Sequence, residues 1–214
     1  LRKGLNKLVQ MLSTLDPKPE ISITTNGHYL SEKINDLIVS GIDNINISID
    51  SLDSGKFKKT TGNGNLQKVL GSLKKAQKLG FSNVKINTVV TSTNFNEIPK
   101  FIDFAKKHEV SLRFIELMSF SSTSDYHKNE FISAKDIEKK LTELLPKENN
   151  TRESKLSPAV YRKINKSKKE IGLIAAASDP GCHKCTRLRI SCDGKLLVCL
   201  YQNKGIDLKH ELRN

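Results

Sequence analysis

Cysteine is scarce and confined: the 214 residues contain four, all between Cys182 and Cys199. There is no framework of scattered pairs for a disulfide scaffold, so the chain reads as a protein of the reducing cytoplasm. No apolar run reaches the length of a membrane span, and Leu1-Arg2-Lys3-Gly4-Leu5 carries no signal-peptide pattern. Low-complexity tracts are missing too, and the recurrences are too uneven in length for a solenoid. Aromatic residues do not interleave the basic ones, as a platform for single-stranded nucleic acid requires. What the chain has in excess is positive charge, formally +13. That balance favours a polyanionic partner, nucleic acid or a nucleoside triphosphate, without choosing between them. Runs such as Lys166 to Lys169 read as solvated surface.

The length allows a sizeable core, in one large domain or one domain and an appendage. Leu5, Leu8, Val9, Leu12 and Leu15 recur at helical spacing, stopped by Pro17 and Pro19. Ile21 to Thr25 reads as a strand, the stretch around Ile34, Leu37 and Ile38 as a helix, and Asn44 to Asp50 as a second strand. A helix through Leu66, Val69, Leu73 and Ala76, a strand over 84–90, a helix through Ile98, Phe101 and Ala105 and a strand over 110–115 repeat the unit. Ser133 with Asp136 opens a last helix, ended by Pro146. The polar segment 147–158 is the expected linker, which divides the chain into 1–146 and 159–214. Strand and helix in alternation predict a parallel α/β sheet or part of a β/α barrel. Active sites of both folds lie at the C-terminal strand ends. Thr24-Thr25-Asn26, Ser48 with Asp50, and Glu116 to Met118 stand there; Lys85 and Arg113 lie nearer strand starts or middles, where either could point inward. Each also has an ordinary reading, since Thr and Asn end strands, Asp50 can cap and Met118 can pack.

The most specific stretch is Gly181-Cys182-His183-Lys184-Cys185-Thr186-Arg187-Leu188-Arg189, followed by Cys199. Cys182 and Cys185 have the spacing that lets two thiolates grip one centre. Arg187 to Cys192 and Lys195 to Tyr201 read as a hairpin about a two-residue Asp193-Gly194 turn. In that register Cys192 pairs near Lys195, as a small buried bystander. Arg187 and Arg189 share one strand face. The same register sets Cys199 on the face of Leu188, unless a bulge or looser turn intervenes.

Thr24-Thr25-Asn26-Gly27, Asn46 to Asp53, Val84-Lys85-Ile86-Asn87, Arg113 to Met118 and the C-x2-C-x13-C cysteines with Thr186-Arg187-Leu188-Arg189 together resemble the GTP 3′,8-cyclase family of radical S-adenosylmethionine enzymes. The likeness covers nearly the whole chain. It implies a partial (β/α) barrel, truncated at its N-terminus, with a small C-terminal β-hairpin module carrying an auxiliary 4Fe-4S cluster on Cys182, Cys185 and Cys199. By the same resemblance Ser48 and Met118 contact S-adenosylmethionine, while Thr24, Lys85, Arg113, Arg187, Leu188 and Arg189 contact GTP. Three thiolates would leave one iron of such a cluster open to substrate. The implied product is a cyclic dihydro-GTP, passed to a downstream cyclic pyranopterin monophosphate synthase. A homodimer is a candidate arrangement; membrane and nucleic acid are not implied partners.

The family's second 4Fe-4S cluster sits on a C-x3-C-x2-C loop, which this sequence does not contain, so the chain reads as a fragment that lacks it and a glycine-terminated tail. Ser119 to Tyr126 also lacks the family's glycine- and asparagine-rich loop. Two rival readings stand beside this one. The first is a different radical S-adenosylmethionine enzyme with an auxiliary cluster. The second is a basic zinc-binding nucleic-acid module closed by Cys182, Cys185, Cys199 and either His183 or Cys192.

Overall fold

The computed structural model describes residues 3–81, 83–120, 124–145, 152–153, 159–164, 169–182, 185–201 and 205–213. Most of the expected linker, Pro146, Lys166 to Lys168 and His183 lie outside them. After helix α1 (Leu5–Ser13) come β1 (Ser22–Thr25), α2 (Leu30–Val39), β2 (Asn44–Ser48), α3 (Ser54–Thr60), α4 (Leu66–Lys78), β3 (Val84–Val90), α5 (Ile98–His108) and β4 (Ser111–Glu116). Helices α6 (Ser124–Glu130) and α7 (Ala134–Leu144) follow, then β5 (Arg152–Glu153), β6 (Val160–Lys163) and β7 (Glu170–Ile174). A short sheet of β8 (Arg189–Ile190), β9 (Lys195–Leu197) and β10 (Ile206–Asp207) precedes the terminal α8 (Leu208–Arg213).

The main sheet has the order β1-β2-β3-β4-β7-β6-β5. Its first five strands in that order are parallel, and β6 and β5 extend it antiparallel. It is an open α/β sheet, and no barrel closure is present among the described residues. The division expected at 147–158 falls between strands of this one sheet, and Arg152–Glu153 inside that segment is itself a strand. The cap expected at Ser133 forms, its side chain accepting from the Asp136 N–H at the start of α7, and Asn65, which the sequence reading did not single out, does the same for Lys68 at α4.

Parallel sheets normally bury both faces and read as continuous apolar runs. Here burial alternates along β3 and β4, one residue buried and the next only half so. The buried set, Ile45, Ile47, Ile86, Leu112 and Phe114 among it, joins Leu37, Val69, Leu73, Phe101, Ala105 and Ile137 from the helices in one core. The other face is polar, and register aligns it in rows across the strands. Thr24, Asn46, Lys85 and Ser111 form one row; Ser48, Asn87, Arg113, Gly172 and Tyr161 form the next toward the C-terminal ends. A polar face on a parallel sheet has the composition of a site that holds a polar ligand.

Candidate functional site

Thr24 and Ser48, read from the sequence at strand ends, and Lys85 and Arg113, read nearer strand starts or middles, lie on one face of the sheet. Thr24 is exposed, and Ser48, Lys85 and Arg113 are half-buried. Arg113 donates from Nε to the Tyr161 hydroxyl at 2.7 Å and from an Nη to Asn46 Oδ1 at 3.2 Å. Both acceptors are neutral. Neither Lys85 nor Arg113 has a carboxylate partner among the described residues, so two cations stand in adjacent rows without a counter-charge. Between Ser48 and Arg113 in register lies Asn87, whose Oδ1 is buried and has no hydrogen-bond partner among the described residues. Sequence reasoning gave Asn46, Asn87 and Tyr161 no role. The alternation of polar residues with isoleucine through Asn44-Ile45-Asn46-Ile47-Ser48 is the signal that finds the first.

Beyond this row a cavity of about 210 Å³ opens at the strand ends, lined by Asp50, Val89, Thr91, Leu117 and Tyr126 among others. Helix α6 covers it, tied down where Glu130 accepts from the Ser92 hydroxyl at 2.7 Å and the Thr93 N–H at 3.1 Å. Burial pushes the Asp50 carboxyl pKa up against the opposing hydrogen bond from the Val89 N–H. Met118, half-buried, is the residue after the cavity-lining Leu117, and Ser48 is two residues before the cavity-lining Asp50.

At the end of β4 the fully buried Glu116 accepts from the Ala134 N–H at 2.7 Å, the Ala177 N–H at 2.7 Å, the Ser178 N–H at 2.6 Å and the Ser178 hydroxyl. It fastens the start of α7 and the segment leading into the cysteines to one strand end. Tyr201 stacks on Phe120 at 5.4 Å between ring centroids. Burial, with neighbouring Cys199, Glu116 and Cys182, pushes the Tyr201 pKa up. The cysteine segment therefore stands at the C-terminal end of β4.

The hairpin register differs from the sequence expectation by one residue. Arg189 pairs with Leu197 and Ile190 with Leu196, and the Ser191 N–H bonds to the Lys195 carbonyl at 2.9 Å. The turn is therefore three residues, Cys192-Asp193-Gly194, with Gly194 at φ 88°. Three-residue hairpins take a left-handed residue there, which glycine adopts without a Cβ clash. One added residue reverses the face parity, so a continuation of this register past Arg189 and Leu197 would set Cys199 opposite Arg187 rather than Leu188. Leu188 lies on the other face, 64% exposed. Cys192 is exposed at the turn rather than buried, because the turn carries it out of the pairing.

Cys182 and Cys185 are exposed and joined by a Cys185 N–H to Cys182 carbonyl bond of 3.2 Å. The backbone N–H and then the guanidinium of Arg187, helped by the Arg189 charge, hold the Cys185 thiol below its ordinary pKa. This donor set fits an iron-sulfur cluster in chemistry, with three thiols, of which Cys185 stands beside cations that favour its thiolate. Among the described residues no three His, Cys, Asp or Glu side chains are gathered as a closed ligand set.

A family model described as the Radical SAM superfamily matches residues 1–105, and one described as Molybdenum Cofactor Synthesis C matches residues 110–214. A GTP 3′,8-cyclase of Peptoclostridium acidaminophilum is 39% identical over 215 residues, covering 100% of this chain and 65% of its own. One from Alkaliphilus oremlandii is 37% identical, covering 100% of this chain and 66% of its own. The chain thus spans just under two thirds of the length of these curated relatives. The solved structure of Streptococcus suis SuiB superposes with a TM-score of 0.71 at 14% identity, covering 96% of this chain and 50% of that one. That likeness speaks for the fold alone.

Proposed function

We propose that the chain, matched over residues 1–105 by the Radical SAM superfamily model and over 110–214 by the Molybdenum Cofactor Synthesis C model, is the GTP-holding and auxiliary-cluster-holding part of a GTP 3′,8-cyclase. The observation that carries this reading is similarity over the whole chain to curated GTP 3′,8-cyclases. Physical support comes from Lys85 and Arg113, which have no carboxylate partner among the described residues of the polar sheet face, and from the Cys185 thiol beside the Arg187 guanidinium.

In this reading Lys85 and Arg113 neutralise the triphosphate from the sheet, and Arg187 and Arg189 do so from the hairpin, without supplying a reactive proton because arginine stays charged. Thr24 adds a hydroxyl contact, and Leu188 contributes through its backbone, since its side chain faces away from the arginines. Ser48 and Met118 hold S-adenosylmethionine at the mouth of the cavity lined by Asp50 and Leu117. Cys182, Cys185 and Cys199 hold the auxiliary 4Fe-4S cluster. When bound, the cofactors supply the hydrogen abstraction that lets C3′ of GTP join C8 of its guanine; the chain supplies placement and charge. The product passes to a downstream cyclic pyranopterin monophosphate synthase. No helix among the described residues is long and apolar enough to cross a membrane.

Anaerobic iron, sulfide and zinc analysis of this chain, with absorption spectra before and after GTP, tests the reading. Iron and sulfide in comparable amounts, with a broad band near ~400 nm that GTP perturbs, is the expected result. Stoichiometric zinc, no colour and no response to GTP would replace it with the zinc-binding nucleic-acid module. Arg187→Ala and Arg189→Ala are each expected to weaken GTP binding about tenfold or more while iron content stays unchanged. Unaltered GTP affinity in both variants removes the arginines from the substrate site.

A further inference from the structure

Arg113 and Tyr161 are on strands that do not touch each other. Strand β7 lies between them, and its Gly172 is the register partner of both. The Tyr161 ring occupies the space that a side chain at 172 would fill: a Cβ there would meet the ring at 2.8 Å and 3.0 Å. Lying across the glycine, the ring brings its hydroxyl to 2.7 Å from Arg113 Nε, with the guanidinium carbon 5.9 Å from the ring centroid. Tyr161 is 4% exposed, so the contact is made away from competing water. On the opposite side Asn46 Oδ1 takes an Nη proton at 3.2 Å, from a side chain itself 8% exposed. Its own amide is turned by a 3.0 Å bond to Ser22.

We propose that Tyr161, seated on Gly172, is a positioning residue that with Asn46 clamps the Arg113 guanidinium so that its remaining N–H fork faces a phosphate on the polar sheet face. Arginine has five donors in one plane, and the clamp uses two. A flexible four-bond side chain is thereby fixed before ligand arrives, which lowers the ordering cost of binding. Gly172 has a matching explanation: its strand tolerates the missing side chain because the Tyr161 ring fills the gap. The proposal rests on the reading that the ligand of Arg113 is the GTP triphosphate.

The test uses the full chain, with the Arg113 Nε–H signal in a ¹⁵N–¹H spectrum read beside titrations with GTP and GMP. Tyr161→Phe keeps the ring and removes the acceptor. It is expected to shift the Arg113 Nε–H signal and speed its exchange with water, and to weaken GTP roughly tenfold while GMP affinity changes less than about twofold. The lost bond should lower the melting temperature by only a few degrees. Gly172→Ala, which displaces the ring, should perturb the same signal. An Nε–H signal unchanged by Tyr161→Phe overturns the clamp. So does unchanged GTP affinity in Tyr161→Phe when Arg113→Ala weakens it, and so does equal weakening of GTP and GMP together with a larger fall in melting temperature, which marks a merely structural tyrosine. GTP affinity unchanged in Arg113→Ala overturns the triphosphate reading instead, and the Nε–H signal tells the two failures apart.

Discussion

Cys182→Ala, Cys185→Ala and Cys199→Ala are each expected to abolish iron and sulfide incorporation, whereas Cys192→Ala should leave both at the level of the unaltered chain. A cubane held by three thiolates cannot lose one and keep its attachment, because no fourth protein sulfur stands in reserve on the same face. Cys192 is the only other cysteine, and the three-residue turn takes it out to the exposed end of the hairpin. Cys199 lies two residues past the end of the return strand β9, away from the turn. The side chain of Arg187 lies 3.4 Å from the Cys185 sulfur, so the cationic environment that favours thiolate is built before metal arrives. Iron and sulfide quantitation on the four variants, purified anaerobically, checks the result. Iron lost from Cys192→Ala would mean that the turn has another register, and iron retained in Cys199→Ala would exclude the ligand set.

Glu116→Ala is expected to destabilise the chain by roughly 3–5 kcal/mol, since hydrogen bonds to a charged group are worth ~1.5–3 kcal/mol each and are not additive. A drop of about 10 °C in melting temperature follows for a chain of this size. The carboxylate receives three backbone N–H groups and one hydroxyl, and its removal strands these donors in a site that solvent does not reach. Release of Ala177 and Ser178 also frees the segment that leads to Cys182, so iron content should fall along with stability. The pH dependence has a definite sign. Burial by itself raises the Glu116 pKa, but the bonds from Ser178, Ala134 and Ala177 outweigh it and leave the folded value below the ordinary 4.5. The protonated form is therefore favoured in the unfolded chain. Glu116 contributes its full stability above pH 4.5, and that contribution is lost as pH falls below it through the folded value. Urea titrations of the native chain and Glu116→Gln across pH 7 to ~3.5 should show the stability gap closing on the acid side. A gap that widens toward acid would refute the account.

Several elements had no legible sequence signal, each for a local reason. Helix α3 buries only Phe57 and so shows no apolar period. Helix α6, Ser-Asp-Tyr-His-Lys-Asn-Glu, has no apolar stripe at all. Strand β7 is interrupted by Gly172, which reads as a breaker in one dimension and is a seat for Tyr161 in three. Strand β6 follows a stretch read as linker, and only its pairing with β7 places it in the sheet.

By itself the sequence determined the alternation of strand and helix, the bounds of β3, the Ser133 cap and the placing of all four cysteines in the last third of the chain. These depend on periodicity, local hydrogen bonds and neighbours close along the chain. The tertiary structure decided which row each polar residue occupies, how long the hairpin turn is, and what Glu116 and Tyr161 hold. Those outcomes turn on register and on bonds between residues as far apart as Glu116 and Ser178. A shift of one residue in pairing reverses every face of a strand, and no local pattern records the partner that fixes it.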